Sequence, residues 1–159
     1  MNPGKYPLRV NVGFLTNQSI GAYRDIAFDY PRLDLDQDFS VKDFSGTARL
    51  GRTQQGILVQ AVFRGDLQLE CVRCLAELEQ RIEASFDELY AFKFKGVSES
   101  GLIVPDDANI NLAPLVREYF LLEVPISPVC KPDCRGLCPV CGADLNTEPC
   151  EHHVTVLTE

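Results

Sequence analysis

Five cysteines and a histidine crowd into the 23 residues from Cys130 to His152, spaced Cys130-x3-Cys134-x3-Cys138-x2-Cys141-x8-Cys150-x-His152. Apolar packing gives no reason to gather thiols at such density, whereas thiolate and imidazole are the ligands a tetrahedral zinc ion prefers. Within this segment Cys138-Pro139-Val140-Cys141-Gly142 has the form of a zinc knuckle. Two cysteines separated by two residues grip one ion while a tight turn aims backbone N–H groups at the sulfurs. Gly142 supplies the unusual backbone angle such a turn needs.

A second pair, Cys71-Val72-Arg73-Cys74, lies upstream, and the seven cysteines with His152 make eight ligands, enough for two tetrahedral zinc sites. Short loops cost little entropy to close, which favours Cys138, Cys141, Cys150 and His152 on one ion and Cys71, Cys74, Cys130 and Cys134 on the other. The competing partition puts Cys130, Cys134, Cys138 and Cys141 on a single ion and leaves Cys71 and Cys74 spare or paired with the tail. One or two zinc ions are therefore expected. Plainer readings stand beside these. Cys71 and Cys74 could be a redox pair, since low-pKa thiols in such motifs exchange disulfides. Cys130 could be a buried small hydrophobe, the segment could hold an iron–sulfur cluster, and His153 reads as a solvated tail residue.

The chain has 159 residues, 45% hydrophobic and 24% charged, enough for one domain with a core and a small appendage. Its formal charge of −8 argues against a wide nucleic-acid face, because phosphate contacts need lysine and arginine. The start, MNPGKYPLRVNVGF, carries no apolar run followed by a cleavage site, so no signal peptide is expected. No stretch approaches the roughly 20 apolar residues of a membrane span. A cytoplasmic, reducing location follows, in which thiols stay free for metal and a disulfide scaffold is disfavoured.

Alternation predicts strands over Leu8–Phe14, Tyr23–Tyr30 (stopped by Pro31), Thr47–Leu50, Ile57–Phe63 and Leu67–Glu70, with a loop at 16–22 and a turn at 51–56. Leu75–Phe94 fits a helical face through Leu75, Leu78, Ile82, Phe86 and Leu89. It equally fits a strand face through Leu78, Ile82, Ala84 and Phe86. Composition favours helix. A C-x-x-C turn between two long strands favours strand, which is the reading adopted. Gly96–Asp107 reads as a mobile loop. Asn111 is placed to cap a helix over Leu112–Glu123 with Pro114 in its first turn, and Leu112, Leu115, Val116, Tyr119, Phe120 and Leu122 would face the sheet. The expected fold is α+β: a mainly antiparallel sheet, open or partly closed like a barrel, packed by this helix. Residues 1–127 form the core domain, and 128–159 form a small zinc-ribbon-like module and tail.

Catalytic signatures are missing. There is no phosphate-binding glycine loop, no G-x-S-x-G and no H-E-x-x-H. Asp34, Asp36 and Asp38 read as a solvated face. A zinc site with all four positions filled by protein is structural, since catalysis needs an open position. No enzyme, no small-molecule substrate and no membrane partner is expected.

Three features together resemble the YceD family, the large ribosomal RNA subunit accumulation proteins of bacteria and plastids. They are Gly56-Ile57-Leu58-Val59 leading to Cys71-Val72-Arg73-Cys74-Leu75, the helix ending in Leu122-Glu123-Val124-Pro125-Ile126-Ser127-Pro128-Val129-Cys130, and the run from Cys134 to Asn146. Many members end in Cys-x-Cys where this chain has Cys150-Glu151-His152, a swap that keeps a metal ligand. The resemblance implies a non-enzymatic factor in ribosome biogenesis that supports accumulation of large-subunit (23S) ribosomal RNA, with structural zinc. Its partner would be precursor large-subunit RNA, contacted by Arg73, Lys131 and Arg135 beside the cysteine pairs, or an assembly protein. Those three cations could instead balance thiolate charge. An acidic chaperone for a basic ribosomal protein suits the net charge as well.

Overall fold

The computed structural model describes residues 6–93 and 100–152. The first five residues, the Gly96–Glu99 part of the expected loop, and His153 lie outside them. Elements follow in the order β1 (Arg9–Asn11), α1 (Gly13–Thr16), β2 (Tyr23–Asp36), β3 (Phe39–Arg52), β4 (Gly56–Glu70), β5 (Glu77–Ala91), β6 (Asn109–Asn111) and α2 (Ala113–Glu123). They form two compact units: Met1–Asp66 with Arg81–Glu123, and Leu67–Gln80 with Val124–Glu159.

The first unit is built on a sheet of order β2-β3-β4-β5, in which each strand neighbours the next in sequence. Connections this short oblige antiparallel pairing, seen in the register Tyr23↔Gly51 through Asp36↔Phe39. The sheet is open, with β2 and β5 as its edges. Each strand contributes one phenylalanine to the buried face: Phe28, Phe44, Phe63 and Phe86. Phe44 stacks on Phe63 at 5.1 Å, and Phe63 lies edge-on to Phe28 at 5.7 Å. Helix α2 lays Phe120 against Phe44 and Tyr119 against Phe86, at 6.0 and 4.9 Å. Rings meeting at these separations add about 0.5–1.5 kcal/mol per pair beyond area burial. A small sheet pairs β1 with β6.

Residues 77–91 are strand, as the knuckle context requires. The Asn111 carboxamide accepts the Ala113 N–H at 3.1 Å and starts α2. Four expectations change. Leu8–Phe14 splits into β1 and the helical turn α1, because Asn11 Oδ1 accepts the Gly13 N–H at 3.0 Å and ends the extended run. Pro31 does not stop β2, which is an edge strand that can spare a ladder donor. Strand β3 begins at Phe39, eight residues before the alternation at Thr47 made it visible. Leu122 is 72% exposed, off the face that carries Leu115, Val116 and Phe120 inward. In the expected loop, residues 102–104 are pinned to β5: Ala91 N–H donates to the Leu102 carbonyl, and Val104 N–H to the Ala91 carbonyl. Among the described residues, no helix is long and apolar enough to cross a membrane.

Candidate metal centre

The hairpin between β4 and β5 turns on Cys71-Val72-Arg73-Cys74. Cys71 N–H donates to the Ala76 carbonyl and Leu75 N–H returns to the Cys71 carbonyl, both at 2.9 Å. Downstream the same turn recurs: Cys138 N–H donates to the Ala143 carbonyl and Gly142 N–H to the Cys138 carbonyl, both at 2.8 Å. Such turns point successive backbone N–H groups at the first sulfur. The Cys74 N–H, foremost, holds the Cys71 thiol down at about 6. The Cys141 and Val140 N–H groups hold Cys138 at about 6. Protons crowd onto the neighbours instead: the Cys74 sulfur beside it pushes Cys130 up to about 12.

The ligand atoms of Cys71, Cys74, Cys130 and Cys134 all lie within 4.8 Å of one another, as do those of Cys138, Cys141, Cys150 and His152. Cys130 and Cys134 thus stand with Cys71 and Cys74, apart from Cys138 and Cys141. The cysteines are unbridged. Ligand distances of about 2.3 Å to sulfur and 2.0 Å to nitrogen imply separations near 3.8 and 3.5 Å around a tetrahedral zinc ion. In the first group Cys71 and Cys134 sulfurs are 3.8 Å apart, and Cys74 and Cys130 sulfurs 3.5 Å. In the second, Cys150 Sγ lies 3.4 Å from Cys138 Sγ, 3.5 Å from Cys141 Sγ and 3.4 Å from His152 Nδ1. Both groups have the donor set and the spacing for one such ion each.

Arg73 staples the first knuckle to the following loop. Its guanidinium donates to the Cys134 carbonyl at 3.0 Å, and its own carbonyl accepts the Leu137 N–H at 3.1 Å. A Cβ on Gly136 would come 2.9 Å from that carbonyl oxygen, and φ there is +77°, so glycine is needed twice over. Lys131 and Arg135 are exposed beside the first group. Cys71, Cys74 and Cys134 also form a small apolar cluster with Leu78, Val129 and Leu137 around them.

Asn146 was not singled out as a functional residue by sequence reasoning. It lies between Cys141 and Cys150, yet its Nδ2 donates to Cys134 Sγ in the other group at 3.4 Å, while its Oδ1 accepts the Arg135 N–H at 2.9 Å. Its only sequence signal was its place at the end of the run from Cys134 to Asn146.

A family model described as "Large ribosomal RNA subunit accumulation protein YceD" matches residues 59–158, which include all eight candidate ligands. An uncharacterized protein of Mycobacterium tuberculosis is 35% identical over 111 residues, covering 66% of this chain and 53% of the relative. An uncharacterized protein of Bacillus subtilis is 29% identical over 82 residues, half of this chain and 48% of the relative. A maize protein named "Large ribosomal RNA subunit accumulation protein YCED homolog 1, chloroplastic" is 44% identical over 41 residues, 26% of this chain and 14% of its own length. The chain spans about half the length of the first mycobacterial relatives. No solved structure matches.

Proposed function

The chain belongs to the YceD family, and from that footing we propose that it is a non-enzymatic cytoplasmic factor in ribosome biogenesis that supports accumulation of large-subunit ribosomal RNA and carries two structural zinc ions. The observation that carries the metal part is the pair of complete ligand sets, Cys71, Cys74, Cys130 and Cys134, and Cys138, Cys141, Cys150 and His152. With four protein ligands each, neither set leaves a position for substrate, which supports a structural role over a catalytic one. The metal would lock the β4–β5 hairpin to residues 130–134 and organise a segment otherwise poor in regular structure. Four thiolates on a dication keep a charge of −2, which Arg73, Lys131 and Arg135 are placed to offset.

The name of the family and of the plant relative supports the RNA part. The acidity of the chain, at −8, favours a second form of the same reading, in which it holds a basic ribosomal protein during assembly.

Two measurements test the proposal. Zinc per chain by elemental analysis on untagged protein should be two, falling to one in both Cys74→Ser and Cys138→Ser. The ratio of large- to small-subunit ribosomal RNA in cells depleted of the protein should fall. An unchanged ratio overturns the functional part, and metal-free protein from reducing purification overturns the zinc part and returns Cys71 and Cys74 to thiol redox chemistry.

A further inference from the structure

Most arginines of the first unit are neutralised where they stand. Arg9, Arg32, Arg49, Arg81 and Arg117 each meet an aspartate carboxylate at 2.7–3.5 Å. Arg24, Arg52 and Arg64 differ: among the described residues none has a carboxylate at ion-pair distance, and Arg64 donates instead to the Ser45 hydroxyl at 3.2 Å. Arg24 and Arg52 lie over aromatic rings, Arg24 at 4.9 Å from the Phe14 centroid and Arg52 at 4.4 Å from that of Phe92. Arg52 also donates to the Thr53 carbonyl.

The two share one face of the sheet. Arg24 pairs with Leu50 in the β2–β3 register, and Arg52 follows Leu50 by two residues, so its side chain returns to the same side. The Arg52 N–H donates to the Ala22 carbonyl at 2.7 Å and continues the pairing to this end. Arg24 and Arg52 are therefore diagonal neighbours, roughly 7–8 Å apart at the backbone. Phe14 is 38% exposed, and Ile20 in the adjoining loop 65%.

Arg24 is exposed, and an unpaired guanidinium laid on a ring leaves its in-plane N–H groups free to take a phosphate. Arg52 is half-buried, with its Nε covered and its Nη1 given to the Thr53 carbonyl, so it offers its charge and its plane more than a free fork. The guanidinium plane and the ring edge beside it offer flat surfaces on which an unstacked base can lie. Two cations suit a short single-stranded stretch, whereas duplex RNA is held by phosphate contacts spread over many base pairs. We propose that Arg24 and Arg52, stacked on Phe14 and Phe92, form a contact site for single-stranded RNA. The proposal rests on the ribosomal RNA reading above and gives that reading a contact point in the first unit.

Fluorescence anisotropy with the full metal-loaded chain and a short labelled oligoribonucleotide, over a salt series, tests it. Two phosphates neutralised predict a slope of log affinity on log salt of about −1.4. Arg24→Gln with Arg52→Gln should weaken binding about ten-fold or more and flatten the slope towards zero. Arg24→Lys with Arg52→Lys should keep the slope yet still bind more weakly, because the charge stays and the stacking plane goes. Arg32→Gln, whose parent is paired with Asp34, should bind as wild type. Thermal unfolding of each variant checks that it is folded. Wild-type affinity in the double glutamine variant overturns the site and leaves the two guanidiniums as covers for their rings. Displacement of the RNA by oligoglutamate at equal concentration overturns it in favour of an acidic peptide. A wild-type chain that binds no RNA also overturns the site, whereas the ribosomal RNA ratio in depleted cells decides the broader reading independently.

Discussion

Leu75 and Gly142 hold the same place in two matching turns. Each follows the second cysteine of a C-x-x-C pair, and each has positive φ, +60° and +75°. Each donates its N–H to the carbonyl of the first cysteine, at 2.9 and 2.8 Å. One knuckle thus uses the residue suited to a left-handed backbone and the other forces an L-residue into it, at roughly 1–2 kcal/mol. The Leu75 side chain is 55% exposed and returns little of that in burial. Leu75→Gly should therefore stabilise the metal-loaded protein by about 1 kcal/mol. Gly142→Ala should destabilise it by about the same amount through backbone strain alone, since nothing lies within 4 Å of the added Cβ. Urea unfolding of the two variants beside the wild type measures both signs.

The Asn146 carboxamide reaches Cys134 from between the ligands of the other group. Groups that hydrogen-bond a metal ligand tune its affinity by about 10- to 100-fold. Asn146→Ala should loosen the site containing Cys134 by that order and release one ion per chain to a chelator faster than the other. Asn146→Asp should do at least as much harm, because it replaces a donor to the sulfur with a second negative charge. Chelator competition followed by absorbance gives the two release phases directly. Equal release from both sites in Asn146→Ala would remove this role.

The ligands were legible in the sequence because spacing fixes what a metal can reach: Cys138-x2-Cys141 and Cys71-x2-Cys74 are local. Cys71 and Cys74 meet Cys134 and Cys130 across 63 and 56 residues, a grouping that loop length favoured but that left the partition with Cys138 and Cys141 open. The strand over 77–91 was ambiguous because its apolar residues satisfy both periods, and the hairpin geometry of the knuckle decides between them. The stretch from Phe39 to Gly46 was silent for another reason. Asp43 with φ +46° and Lys42 break its alternation, while Val41 and Phe44 still reach the core. Leu122 misled because its apolar character matched the helix and its angle did not. The Arg24–Phe14 and Arg52–Phe92 stacks join residues 10 and 40 apart and leave no local trace at all.

Asp66 is buried in the first unit and receives two hydrogen bonds from Arg81, at 2.7 and 2.9 Å. The hydrogen bonds from that guanidinium hold the carboxyl below its ordinary value of 3.8. A depressed native pKa means that the unfolded state binds protons first as pH falls. The contribution is thus complete above about 4 and is lost as pH drops through the native value. Arg81→Gln should cost about 1–2 kcal/mol at pH 7, allowing for the exposure of Arg81. The difference between variant and wild type should shrink below pH 4. Comparing the two at each pH cancels whatever the metal sites contribute in acid, so a pH-independent difference would rule out the ion pair as its source.

Gly46 sits where β3 runs against β4, between Phe44 and the Phe63 ring that anchor the aromatic face. A Cβ there would enter the shell of the Val62 carbonyl oxygen and come 2.6 Å from Phe63 Cδ1. Neither can yield cheaply, one being backbone and the other a ring stacked on Phe44 at 5.1 Å. Gly46→Ala should cost about 2–3 kcal/mol, the scale of an overpacked core. Gly51, near the end of the same strand, gives the opposite expectation, because its Cβ would meet only the Leu58 carbonyl at 4.0 Å. Gly51→Ala should stabilise by about 0.5–1 kcal/mol, through the lower entropy of the unfolded chain. Urea midpoints for the pair separate the two accounts of these glycines. If Gly46→Ala were as stable as wild type, the close approach of β3 to β4 would not be a constraint on the fold.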